Sequence, residues 1–294
     1  MRTLLDIVRS LILLDPVKFS RELVESSVSR CVFHDVLLRA HLPLSFVVSA
    51  WLAHGKNTKK LDGISVLRLS HTLNFDDRVF FLFQDATRMV LEDCTYSTPV
   101  VMDKLEHAEF TNVDFKDPLG PSPLISLRVR NKHPFSNFFT AFAHCPLVFA
   151  RLTHLAIVEE DGEYCTYQYR LRISFFETLL KCPADFRLES ADIQMNHTGY
   201  IMCALIVRFL HDKCSVTLRS LKMQHLYLSL DYVFPALEHM HLVDGINDWS
   251  PCRSNMRERF PKLGTLRIQR ARFTTNPAPL CDVFSHVADI EVLE

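Results

Sequence analysis

The sequence predicts an α/β solenoid, in which short parallel strands stack along one face and helices or loops return along the other. Three observations predict this fold. A spaced apolar pattern occurs ten times along the chain. The longer intervals between its copies contain segments whose apolar residues have helical spacing. The composition is that of a folded protein, because 48% of the residues are hydrophobic and 23% are charged.

The pattern consists of three apolar positions, the second three residues after the first and the third two residues after the second. Its copies begin at Ile64, Ala86, Leu105, Leu124, Leu152, Pro183, Leu218, Leu237, Leu263 and Val287. The last two apolar positions of a copy share one face of a strand. The mean interval of about 25 residues is typical of leucine-rich repeats. One copy cannot bury its apolar face alone, but parallel copies stacked together can.

Three return segments are predicted to be helices, because their apolar residues recur at intervals of three and four. They are residues 134–145, 172–182 and 200–211. A strand at 32–38 and a helix at 42–54 are predicted to come before the first clear copy. We therefore expect residues 31–294 to form an irregular leucine-rich-repeat-like horseshoe, with strands on its concave face and helices and loops on its convex face.

Residues 1–30 are predicted to form a short helical segment ahead of the repeats. Two helices, 4–14 and 19–28, are separated by Asp15-Pro16, where Pro16 suits a first helical turn and Asp15 a cap. The run Leu14-Asp15, Phe19 and Val28-Ser29-Arg30 resembles the second half of an F-box. The Leu-Pro-x-Glu opening of that motif is absent, so the resemblance is to a truncated or degenerate box.

The order of the segments resembles fungal-type F-box proteins with leucine-rich repeats. The copies HCPLVFARLTHLAI and ERFPKLGTLRI echo the Cys-Pro-x-Leu and Phe-Pro-x-Leu openings common in that family. The resemblance implies that Leu14, Asp15 and Phe19 bind a Skp-type adaptor, and that the protein is a substrate receptor of a cullin-type ubiquitin ligase. The alternative is a stand-alone scaffold, in which the two helices only cap the end of the solenoid.

Enzymatic activity is not expected. The phosphate-cradling, dinucleotide-binding, nucleophile-elbow and HExxH patterns are absent. His239 and His241 lie two residues apart on one predicted strand, but a zinc site needs at least one further protein ligand. The sequence therefore predicts no metal site, no cofactor and no catalytic residue.

Cysteine usage and hydropathy bear on the compartment. The nine cysteines are odd in number and scattered, without a C-x-x-C motif, which favours reduced thiols. The longest apolar run, 42–53, is shorter than the ~20 residues of a spanning helix. Asp6 and Arg9 interrupt the apolar N-terminal stretch, which is untypical of a signal peptide. We expect a cytoplasmic or nuclear protein that does not bind membranes.

The candidate binding surface is the central row, defined as the residue between the last two apolar positions of each copy. The chain has a net charge of -1, yet this row is rich in Lys and Arg. Neighbouring strands lie ~4.8 Å apart, so the row forms a ladder of side chains. We predict that an acidic or phosphorylated segment of a partner protein binds to Arg128, Arg187, Lys222, His241 and Arg267.

A structural alternative for this row is that its polar side chains only keep the concave face soluble, with Arg stems lying over their neighbours. Nucleic acid is not expected as the partner, because aromatic side chains do not alternate with the basic ones.

Overall fold

The computed structural model describes eleven segments of the chain. They are residues 66–70, 85–97, 102–120, 122–131, 137–143, 145–159, 166–195, 200–224, 232–243, 256–269 and 283–293. The predicted N-terminal helices, with Leu14, Asp15 and Phe19, lie outside these segments. So do the predicted strand at 32–38, the helix at 42–54 and the boundary at residue 30.

The described residues form an α/β protein whose main sheet is long and all-parallel. In chain order, strands β1 to β12 are Val66–Ser70, Arg88–Glu92, Thr95–Tyr96, His107–Thr111, Asp114–Phe115, Ser126–Asn131, His154–Glu159, Ser190–Gln194, Ser220–Gln224, His239–Val243, Thr265–Gln269 and Asp289–Leu293. Ten of them make one sheet in the order β1-β2-β4-β6-β7-β8-β9-β10-β11-β12. The two-residue strands β3 and β5 pair with each other in parallel.

Nine of the ten apolar copies coincide with a strand of this sheet. They match β1, β2, β4, β6, β7, β9, β10, β11 and β12. On the seven of these strands from β2 to β11, the two predicted strand positions are buried in pairs such as Leu221 and Met223 on β9 or Leu266 and Ile268 on β11, whereas on β12 Val292 is 53% exposed. The prediction of stacked parallel strands is therefore confirmed at these nine positions.

The sixth copy was predicted in the wrong place. Its strand, β8, is Ser190–Gln194, whereas the pattern put Phe186 and Leu188 in the strand. The physical reason is that two copies of the pattern overlap here, because Leu188, Ala191 and Ile193 have the same spacing. Pairing decides between them, since Ile193 lies in register with core residues on β7 and β9.

Helices and turns connect the strands. Helices α1 to α4 are Phe138–Ala143, Thr166–Lys181, Tyr200–Cys214 and Met256–Arg259, and a short 3-10 helix spans Pro146–Phe149. The helices predicted at 134–145, 172–182 and 200–211 are thus present with different ends. In the described residues, no helix is long and apolar enough to cross a membrane.

The chain divides into two compact units. The first comprises Met1–Leu124 with Ser136–Ala141, and the second comprises Ile125–Phe135 with Phe142–Glu294. In the first unit, successive copies leave the main sheet through the same turn. Asp93 and Asn112 both adopt positive φ, and the Asn112 amide donates a hydrogen bond to the Asp93 carboxylate at 2.7 Å.

The core of the second unit contains a chain of aromatic rings. Neighbouring centroids are 5.1–6.0 Å apart, mostly in the edge-to-face arrangement that aromatic pairs prefer. The rings are, in order of contact, Phe142, Phe149, Phe175, Phe176, Phe209 and Phe186. Because the rings belong to α1, the 3-10 helix, α2, α3 and the segment before β8, they join the elements that pack behind the sheet.

Candidate functional site

One face of the sheet in the second unit is polar. Along β9, the side chains of Leu221 and Met223 are buried, whereas those of Ser220, Lys222 and Gln224 alternate with them and are partly exposed. The same alternation holds on β8, next to β9, and on β11, while on β10 between them Val243 is also buried. We call the surface formed by these outward positions of β6 to β12 the exposed face.

The exposed face has three rows of side chains that follow the strand register. The first row is Ser126, His154, Ser190, Ser220, His239, Thr265 and Asp289. The central row is Arg128, Ala156, Asp192, Lys222, His241, Arg267 and Glu291. The third row is Arg130, Val158, Gln194, Gln224, Val243, Gln269 and Leu293. The hydroxyl groups of the first row and the amide groups of the third row can both donate and accept hydrogen bonds.

The structure corrects the predicted ladder at one position. Arg187 lies before β8 and is exposed there, so it does not belong to the central row. Asp192 takes its place, in register with Lys222 on β9. Lys222, His241 and Arg267 do lie side by side as predicted, on β9, β10 and β11. Arg128 is also in the row and exposed, but β7 and β8 separate it from Lys222.

Acidic neighbours balance the two cations of this cluster. Lys222 Nζ lies 4.0 Å from Asp192 Oδ2, and Arg267 Nε lies 2.8 Å from Glu291 Oε2. These side chains are a quarter to a half exposed, so each pair contributes only about 0–1 kcal/mol to stability. The row from β8 to β12 therefore reads acidic, basic, histidine, basic, acidic, rather than uniformly basic.

His241 is at the centre of this sequence of charges. Burial lowers the pKa of its imidazole, and the adjacent Lys222 lowers it further. A side-chain hydrogen bond with Gln269 acts in the opposite direction. Its Nε2 atom is shielded from solvent and has no hydrogen-bond partner. A buried polar atom left in this state costs about 1–3 kcal/mol.

A similar cross-strand pair occurs in the first unit. There, Arg88 on β2 lies 3.2 Å from Glu109 on β4, and both side chains are partly exposed. Arg88 and Glu109 thus neutralise each other across the two strands. The cluster around His241 differs, because it holds an unsatisfied polar nitrogen between two cations.

The sequence reasoning missed a buried ion pair behind the sheet. Arg172 on α2 lies 2.7 Å from Glu159 at the end of β7, and their side chains are only 9% and 14% exposed. The buried Asn131 ends β6 in register with Glu159. Arg172 is one of two arginines in α2, so its residue type alone did not single it out. The pair fixes the start of α2 against the carboxyl end of β7.

Cys94 and Cys214 are poor candidates for nucleophiles. Burial raises the pKa of the Cys94 and Cys214 thiols to about 12, so both are protonated at neutral pH. No group of three metal-ligating side chains occurs among the described residues. Comparisons of the chain with protein-family models, curated proteins and solved structures find no match.

Proposed function

We propose that the protein is a non-enzymatic recognition module, and that an extended acidic segment of a partner protein binds along the exposed face. The observation that carries this proposal is the cluster of Lys222, His241 and Arg267 on three adjacent strands. Rows of hydroxyl and amide groups lie on both sides of it. An extended segment lying across parallel strands can hydrogen-bond to the outer rows while its acidic side chains meet the cations.

We further propose that the described sheet is part of an irregular leucine-rich-repeat-like solenoid over residues 31–294. Ten copies of one apolar pattern at a mean interval of about 25 residues, nine of them on strands of the main sheet, support this architecture. In such folds each repeat contacts mainly its neighbours, and the outward row of strand residues is the usual binding surface. The exposed face would then be the concave surface of the solenoid.

The N-terminal segment suggests the role of this module. Its resemblance to part of an F-box supports a substrate receptor of a cullin-type ubiquitin ligase, in which Leu14, Asp15 and Phe19 bind a Skp-type adaptor. Such a subunit would act in the cytoplasm or nucleus, where nine scattered cysteines stay reduced. The second candidate is a stand-alone scaffold in which residues 1–30 cap the repeats.

Substituting the adaptor-binding candidates separates these two roles. We expect the full chain to capture a Skp-type adaptor and a cullin, and the double variant L14D/F19D to lose at least about tenfold in capture, because buried apolar contacts dominate such interfaces. The measurement is a tagged pull-down quantified by mass spectrometry, with thermal unfolding of both proteins as the control. If the full chain captures neither protein, the ligase role is contradicted. If the double variant also unfolds at a lower temperature, the cap is supported.

A further inference from the structure

The cluster on the exposed face has a more specific property, which rests on the proposed function. We propose that Lys222, His241 and Arg267 form a carboxylate-binding centre, and that His241 takes up a proton when the carboxylate of a partner's Asp or Glu side chain binds. Binding of an acidic segment would then strengthen as the pH falls. The geometry of the cluster, its charge and the protonation of His241 each support this proposal.

The strand register places three basic side chains next to one another. In register, His241 pairs with Lys222 on one side and with Arg267 on the other. Adjacent strands are ~4.8 Å apart, so a carboxylate above His241 is within reach of both cationic side chains. The imidazole of His241 is partly exposed between them, and its protonated form carries a charge that a carboxylate can neutralise.

The charges of the row favour a single negative charge as the ligand. Asp192 and Glu291 neutralise Lys222 and Arg267, so these four residues sum to zero while His241 is uncharged. Protonation of His241 brings the row to a charge of about +1, which one carboxylate balances. A phosphate group with nearly two charges would meet repulsion from the flanking Asp192 and Glu291. We therefore assign a carboxylate rather than a phosphorylated side chain.

The protonation of His241 depends on the charged and polar groups that surround it on every neighbouring strand. Lys222 on β9 and Arg267 on β11 lower its pKa, whereas Gln269 on β11 and Asp192 on β8 raise it, with burial as the largest effect. Glu291 on β12 is engaged with Arg267. His239 is two residues away on β10 itself.

A bound carboxylate next to the ring favours the charged imidazole and raises the pKa of His241. The bound protein then holds more protons than the free protein at mildly acidic pH. By linkage, the affinity for the carboxylate increases as the pH falls towards the pKa of the complex.

The test uses the full chain and a fluorescein-labelled octapeptide, Gly-Ser-Glu-Ser-Glu-Ser-Glu-Gly, with fluorescence anisotropy at pH 7.5 and 5.5. We expect binding to tighten roughly three- to tenfold at the lower pH, since one proton taken up changes affinity by at most about tenfold per pH unit. The variant H241Q should lose this pH dependence, while H154Q on β7 should keep it. Charge reversal by R267E should weaken binding at least about tenfold, whereas R187E, outside the row, should not.

Three results would overturn this inference. The first is an unchanged pH dependence in H241Q. The second is tighter binding at pH 7.5 of a matched peptide with phosphoserine in place of each glutamate. The third is no binding at either pH, or equal binding of a matched glutamine peptide. The proposed function fails separately if a partner protein binds outside the exposed face. The crosslinking measurement that ends the Discussion determines where the partner binds.

Discussion

Replacing Arg172 with methionine is expected to lower the free energy of unfolding by about 3–5 kcal/mol. The guanidinium of Arg172 lies 2.7 Å from the Glu159 carboxylate, and both side chains are at least 86% buried because their exposures are 9% and 14%. The substitution keeps an apolar stem of similar shape and removes the guanidinium group, so the carboxylate is left buried without its cation. The loss is measured by urea unfolding of the full chain followed by circular dichroism.

Two further variants make the Arg172 result specific. R170M changes an exposed arginine on the same helix, and we expect it to alter stability by no more than about 0.5 kcal/mol. The double variant E159L/R172M removes both charges, and its stability should return close to that of the natural sequence, because buried ion pairs often exchange with apolar pairs at little cost. A loss below about 1 kcal/mol for R172M would contradict a buried structural pair.

Truncating Phe176 to alanine is expected to lower the free energy of unfolding by about 3–5 kcal/mol. The ring of Phe176 is 0% exposed and lies between Phe175, at 5.1 Å, and Phe209, at 6.0 Å, so it joins α2 to α3 in the aromatic chain. Removing it deletes the ring contacts and leaves a cavity that the neighbouring rings fill only in part. The same urea unfolding measures the effect.

Conservative and surface variants serve as controls for Phe176. F176L keeps most of the buried volume and should lose less than about 1.5 kcal/mol. I201A removes a residue of α3 that is 59% exposed, so its effect should be about 0.5 kcal/mol or less. Equal losses in F176A and I201A would mean that the aromatic chain is not the centre of this core.

Apolar spacing located most of the sheet because each strand buries two alternate side chains, and burial selects apolar residues at those positions. Ala86, Met89 and Leu91, for example, are each 0% exposed. Ala86 comes just before β2, and the other two lie within it. The apolar spacing predicted the wrong strand at β8, because Leu188 belongs to two overlapping copies of the pattern. Only hydrogen bonding to β7 and β9 selects between such registers, and the sequence of one strand does not contain that information.

The candidate site was predictable in position but not in charge. The adjacency of Lys222, His241 and Arg267 followed from the repeat, and the structure places them side by side. The misplaced β8 put Arg187 where Asp192 stands, so the predicted ladder was too basic. The ion pair of Arg172 and Glu159 could not be predicted from the sequence, because its geometry depends on how α2 packs at the end of β7.

The most direct test of the account is where on the chain a partner protein is bound. A photoreactive benzoylphenylalanine is placed at His239, exposed on β10 within the exposed face, or at Glu177, exposed on α2 outside it. We predict that the full chain crosslinks to its partner from position 239, that the glutamate octapeptide competes with this product, and that position 177 gives none. Crosslinking from position 177 with none from position 239 would contradict the exposed face as the recognition surface.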